Sequence, residues 1–153
     1  MNKVKIIAEA GVNHNGSLEM AKRLCEIAKE SGADFVKFQT FITENIISKN
    51  TEMAKYQIEN VQNEDSQFEM VKKLELGLDD FLEIIKHCKK IGISFLTTPD
   101  DKESLDFIND HLDEYIKVGS GEVTNFFHLE DIAKTGKKII LSTGMSNLDE
   151  VRK

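Results

Sequence analysis

The sequence predicts an α/β fold on a parallel sheet, a (β/α)8 barrel of which the N-terminal portion, about five strands, is present. Two observations lead there. Short apolar runs alternate with amphipathic helical patterns along all 153 residues, the order that gives parallel strands joined by crossover helices. Each apolar run also ends in hydrogen-bonding or ionisable side chains: Glu9, then Lys37 and Gln39, then Thr97 and Thr98, then Lys117, Ser120 and Glu122, then Ser142 and Thr143. Barrel enzymes assemble their sites from the C-terminal ends of several strands at once. A doubly wound sheet competes, but no GxGxxG follows the first strand, so that architecture lacks its dinucleotide-binding mark.

The first strand is expected at Val4–Ala8. Ser17 then serves as N-cap for a helix whose Leu18, Ala21, Leu24, Cys25 and Ala28 recur at helical spacing, and Gly32 stops it. Phe35–Phe38 is the second strand. The stretch from Thr40 to about Ser66 is polar and aperiodic, too long for a simple connector, and long loops in compact domains tend to carry function or motion. Phe68–Leu76 reads as a short helix. A clear helix starts at Asp79 or Asp80, places Phe81, Leu82, Ile84, Ile85, Cys88 and Ile91 on one side, and ends at Gly92. The remaining strands are Ile93–Leu96, Tyr115–Val118 and Lys138–Leu141. Helices over Asp101–Asp110 and around Leu129, Ile132 and Ala133 separate them.

A closed barrel needs eight strands and typically about 250 residues. Residues 1–153 are therefore expected to be the N-terminal part of a barrel domain, either a fragment or a piece completed in trans. A helical pattern still running at Lys153 favours the fragment.

Charge and cysteine usage narrow the function classes. The net charge is −7, from 20 basic and 27 acidic residues, which argues against nucleic acid as a partner because no basic excess exists to displace counterions. An anionic substrate would have to be met locally by a few lysines. Cys25 and Cys88 have no CxxC spacing and fall on apolar helix faces; buried free thiols are expected rather than a disulfide or metal pair. No apolar run approaches the roughly 18 residues of a membrane span, and the N-terminal apolar run is too short for a signal peptide, so a cytoplasmic protein without membrane contact is expected.

Lys37 and Gln39, two apart in a strand, share a face. A lysine inside a strand is costly unless paired or bound to an anion. Three readings stand open for Lys37: an ion pair with Glu9, an anion ligand, or a Schiff-base nucleophile. Lys117 repeats the situation beside Gly119-Ser120-Gly121, where the glycines let backbone amides approach a ligand. Ser142-Thr143-Gly144 offers a second hydroxyl corner, and together the three pieces point to a phosphorylated ligand. Glu9 and Glu122 suit orienting hydroxyls or moving a proton, or pairing with the lysines. Glu69 by itself reads as a solvated helix residue. His14 is a ligand or proton-carrier candidate, but His14, His87, His111 and His128 show no HxH or HExxH spacing, so no self-sufficient transition-metal site is expected.

Ala-Glu-Ala-Gly-Val-Asn-His-Asn-Gly (8–16), Val-Lys-Phe-Gln-Thr (36–40), Thr-Thr-Pro (97–99), Tyr-Ile-Lys-Val-Gly-Ser-Gly-Glu (115–122) and Ile-Leu-Ser-Thr-Gly-Met (140–145) resemble the successive signatures of the sialic acid synthases. That family includes the N-acetylneuraminate and legionaminate enzymes. The Glu-Ala-Gly-Val-Asn-His form and Ala54-Lys55-Tyr56-Gln57 look closer to those branches than to the pseudaminate branch. The resemblance implies condensation of phosphoenolpyruvate with an open-chain N-acyl amino sugar, with loss of phosphate. It also implies a divalent metal, manganese or magnesium, as Lewis acid. By resemblance, Lys37, Thr98, Lys117, Ser120 and Ser142 would hold phosphoenolpyruvate, and Gln39, Glu69 and Glu122 would meet the sugar. Glu9, Lys37 and Glu122 would form the catalytic set. The family's metal-binding histidines, the later strands and a small C-terminal antifreeze-like domain that completes the partner's site in a homodimer would lie beyond Lys153. On this reading the isolated chain would not turn over. A Schiff-base aldolase and a non-catalytic module that only binds a ligand or partner are the alternatives.

Overall fold

The computed structural model describes residues 4–49, 51, 66–112 and 114–153. Five parallel strands alternate with helices: β1 (Ile7–Gly11), α1 (Leu18–Glu30), β2 (Phe35–Thr40), α2 (Thr43–Ile46), α3 (Gln67–Leu74), α4 (Leu78–Ile91), β3 (Ser94–Pro99), α5 (Lys102–His111), β4 (Tyr115–Val118), α6 (Phe126–Lys134), β5 (Lys138–Leu141) and α7 (Leu148–Arg152). β1, β2 and β3 form one parallel ladder and β4 and β5 another, with β3 lying alongside β4. The result is an α/β, partial-barrel arrangement, as the alternation predicts.

Strand bounds depart from the sequence expectation where polar residues continue a ladder. β1 starts at Ile7 rather than Val4, because Ile6 is tied instead to the turn before β2: its N–H donates to the Asp34 carboxylate at 2.9 Å and its carbonyl accepts from Asp34 and Phe35. Val4 and Ile6 are left 75% and 54% exposed. β2 and β3 run past their apolar cores to Thr40 and Pro99, in register Gln39 with Thr98 and Thr40 with Pro99. The Thr40 and Thr97 hydroxyls bond each other at 2.9 Å, so burying them leaves no orphaned group.

Helix starts follow local chemistry. Ser17 caps α1 by accepting from the Met20 N–H, Asp101 caps α5 through Ser104 N–H, Asn125 caps α6 and Asn147 caps α7. Gly92 takes the left-handed conformation at φ +74° that ends α4. α2 lies in the stretch expected to be aperiodic; most of the rest of that stretch, Ala54-Lys55-Tyr56-Gln57 included, lies outside the described residues.

Strand alternation decides what faces what. Val36 and Phe38 turn to the helices and pack with Cys25 of α1 and Phe81, Ile84 and Cys88 of α4. A second cluster joins Ile116 and Val118 of β4 to Leu105, Ile108 and Ile132, and Phe95 and Phe107 touch both. Lys37, Gln39 and Lys117 therefore stand on the opposite, inner face. Cys25 and Cys88 are buried and unoxidised. Among the described residues no helix is long and apolar enough to cross a membrane.

Candidate active site

Parallel pairing in register sets Glu9 beside Lys37 and Gln39 beside Thr98 at the C-terminal end of the ladder. The Lys37 ammonium is buried, 3.0 Å from a Glu9 carboxylate oxygen and 3.5 Å from the Thr98 hydroxyl. The ion pair with Glu9, one of the three readings open from the sequence, is thus formed in this state. Glu9 is itself largely exposed, so solvent screens the pair and leaves the ammonium able to change partners. Gly11, at φ +52°, lets the chain pass close to both carboxylate and amide: a Cβ there would lie 3.3 Å from Glu9 Oε1 and 3.9 Å from Gln39 Oε1.

Lys117 enters from β4, half-buried, with its ammonium donating to the Val118 carbonyl at 2.5 Å. Its pKa is lowered, first by desolvation and then by the charge of Lys37, against the pull of Glu9 and Asp100. An anion placed within reach of both ammoniums would relieve both desolvation and mutual repulsion. Ser120 follows in a 3-10 turn (Ser120–Glu122). A Cβ at Gly144 would stand 3.5 Å from its hydroxyl and one at Gly119 would stand 3.8 Å from the Thr98 methyl, so the three strand ends close on one another. The Ser142 amide donates to the Val118 carbonyl at 3.1 Å, and its side chain stays exposed. Glu122 accepts from Asn125 Nδ2 at 2.7 Å.

Two predicted or overlooked groups behave differently. The Glu69 carboxylate accepts from the Ser66 N–H at 3.1 Å in a capping box at the start of α3; it is engaged with its own helix rather than with the lysines. Asp100 was not singled out in the sequence. It follows Thr97-Thr98-Pro99, half-buried, with its N–H on the Thr40 carbonyl at 3.0 Å. Burial and the charge of Glu122 push its carboxyl up to about 7, against the attraction of Lys37 and Lys117. The signal was the doubled aspartate: a helix start needs one cap, and Asp101 supplies it.

His14 is fully buried against Phe38, with ring centroids 6.0 Å apart. Its Nδ1 accepts from the Gly16 N–H at 3.1 Å, which assigns the proton of the neutral ring to Nε2, and Nε2 has no hydrogen-bond partner among the described residues. Burial lowers its pKa. Among the described residues no group of three or more His, Cys, Asp or Glu side chains is gathered as a metal site would require.

A family model described as the NeuB family matches residues 24–153. The chain belongs to the NeuB family. Within that family it is 55% identical over 151 residues to the N,N'-diacetyllegionaminic acid synthase of Campylobacter jejuni, covering 99% of this chain and 45% of that protein. It is 46% identical over 147 residues to the enzyme of the same description from Legionella pneumophila, covering 96% and 41%. Its fold is similar to the crystal structure of N-acetylneuraminic acid (sialic acid) synthetase from Leptospira borgpetersenii in complex with citrate. That match has a TM-score of 0.82 and 30% identity, over 99% of this chain and 48% of that one. The chain thus spans less than half the length of these NeuB relatives.

Proposed function

We propose that this chain is the N-terminal part of a nonulosonate synthase, a transferase that condenses phosphoenolpyruvate with an N-acyl amino sugar and releases phosphate. The observation that supports the reading is the closeness of three strand ends: the Lys37 ammonium lies 3.5 Å from the Thr98 hydroxyl, and a Cβ at Gly119, two residues after Lys117, would stand 3.8 Å from the Thr98 methyl. A polyanion with a phosphate and a carboxylate on adjacent carbons suits two ammoniums with hydroxyls between them. Lys37, Thr98, Lys117, Ser120 and Ser142 bind it, and Lys37 exchanges Glu9 for the anion. Glu9, freed, and Glu122 face the sugar with Gln39 and handle the proton at the reacting carbons. Glu69 belongs to the sugar contacts only if α3 gives up its cap. The acceptor favoured by the two N,N'-diacetyllegionaminic acid synthase relatives is a deoxy diacetamido sugar, ahead of N-acetylmannosamine. The proposal extends to cytoplasmic location and a homodimer of the intact protein. It also extends to a divalent metal, manganese or magnesium, held by residues beyond 153; the described residues do not offer its ligand set.

Lys117→Ala in the intact protein tests the reading. One charge-assisted contact is worth roughly 1.5–3 kcal/mol, so KM for phosphoenolpyruvate should rise by about one to two orders of magnitude with little change for the sugar. An equal effect on both substrates overturns the assignment.

One observation favours a second reading. The lowered pKa of Lys117 is what a Schiff-base amine needs. Borohydride trapping with pyruvate decides: a covalent adduct on Lys117 would replace the synthase with an aldolase.

A further inference from the structure

Helices α1 and α4 back the strands that carry Glu9, Lys37 and Thr98, and their packing brings two thiols together. Cys25 of α1 and Cys88 of α4 are 0% and 1% exposed, with Cys88 Sγ 3.5 Å from Cys25 Sγ. Nothing in the proposed reaction uses them. Beside the thiols, Lys22 of α1 pairs with Glu83 of α4 at 4.0 Å, and His87 Nε2 stands 3.5 Å from a Glu26 carboxylate oxygen without a hydrogen bond. Joining the sulfurs needs an approach of roughly 1.5 Å to the disulfide bond length of about 2.05 Å, a movement of side-chain tips.

We propose that Cys25 and Cys88 form a redox modification site, closed to a disulfide by a small uncharged hydroperoxide, hydrogen peroxide being the simplest. The chemistry balances on the two thiols alone. The Cys25 thiolate attacks one peroxide oxygen, the O–O bond breaks, and the departing hydroxide takes up the thiol proton as water, leaving Cys25 as a sulfenic acid. Cys88 sulfur then attacks Cys25 sulfur, the S–O bond breaks, and hydroxide leaves with the Cys88 proton as a second water. The protein loses two electrons and two protons, and the peroxide is reduced to two waters.

The order of attack follows from the asymmetry of the pair. The hydrogen bond from Cys88 lowers the Cys25 pKa, and the same bond, with burial, raises that of Cys88. Cys25 therefore has the greater thiolate share of the pair and attacks first, and Cys88 is the resolving partner. Burial selects the oxidant: a small uncharged peroxide needs only a slight opening of the α1–α4 interface to reach the sulfurs, whereas glutathione disulfide is too large and too charged. The crosslink closes a loop that contains β2 and Lys37.

The experiment treats the purified, natively folded full chain with stoichiometric hydrogen peroxide. The expected product is monomeric, lighter by about 2 Da, yields a proteolytic peptide joining Cys25 to Cys88, and returns to two thiols with dithiothreitol. Two alkylatable thiols after denaturation, separate sulfinic acids, or disulfides between chains overturn the proposal. Glutathione disulfide is expected to act at least tenfold more slowly, and equal rates overturn the small-oxidant assignment. In Cys88→Ser, whose hydroxyl keeps a donor beside Cys25 but cannot form a disulfide, Cys25 should stall as a sulfenic acid trapped by dimedone; an unreactive Cys25 overturns its role. The oxidised wild type, which needs no variant to fold, should gain roughly 5–15 °C in Tm, and no gain means the bond is not made across the native interface.

Discussion

Lys37 and Lys117 stand where apolar packing would be easier, and each is compensated differently: Lys37 by Glu9 and Thr98, Lys117 by a backbone carbonyl and remote carboxylates. A buried ion pair is weak evidence of stabilisation, since its desolvation cost offsets its attraction. Lys37→Met should leave urea-unfolding stability within about 1 kcal/mol of wild type, because Glu9 can return to water, while abolishing binding of phosphoenolpyruvate measured by calorimetry. A loss of several kcal/mol would mean that Lys37 is a structural strut. Asp100 gives the opposite sign. Its folded pKa, about 7, stands above its unfolded value, so the folded state binds the extra proton. Stability from this group is complete below about pH 4 and is lost as pH rises through 7, by at most about 4 kcal/mol. Asp100→Asn should therefore match wild type at pH 4 and exceed it at pH 8 in urea titrations. The same neutralisation leaves the mouth more positive, so phosphoenolpyruvate should bind wild type more tightly at pH 6 than at pH 8, and Asp100→Asn should flatten that difference.

At the scale of elements, the β1–α1 connection is the most constrained. Gly16 sits at φ +72°, and an added Cβ would collide with the Lys73 carbonyl at the end of α3. Both the conformation and the backbone contact forbid a side chain. Gly16→Ala should cost at least about 2 kcal/mol in chemical denaturation, more than Ser17→Ala, where loss of one cap costs about 1 kcal/mol. A second device joins α2 to α3. Lys72 bonds Glu44 at 2.9 Å and Glu75 at 2.8 Å, and Glu75 accepts from the Thr43 amide at 2.8 Å. Burial opposes the Glu75 charge, but these bonds hold its pKa below the usual value. The two flanks of the long connection are thereby pinned together, and Asp101 anchors α2 through the Ile42 amide at 2.8 Å.

At the scale of the molecule, β5 and its flanking segments carry much of the exposed apolar surface among the described residues: Ile139, Leu141, Phe126, Phe127, Met145 and Leu148. An edge strand of this kind recruits further chain. The isolated chain should show a weight-average mass that rises with concentration in sedimentation equilibrium, and Leu141→Lys should reduce it. A mass independent of concentration would show that this surface is tolerated in water.

Much of the architecture was legible in the chain because it rests on local rules. Apolar periodicity, Ser17 and Gly92 as helix limits, and the Tyr115–Val118 and Lys138–Leu141 strands depend on residues near one another in sequence. Strand alternation likewise put Lys37 and Gln39 on one face. What only the tertiary structure decided are relations across long separations. Register set Glu9 against Lys37 and carried β2 and β3 past their apolar runs, because backbone pairing is indifferent to side-chain polarity. The packing of α1 on α4 set Cys25 against Cys88. Burial at the end of β3, with the charges of Glu122 and two lysines acting on it, made Asp100 a titrating group, since desolvation and field belong to a place in space and not to a motif.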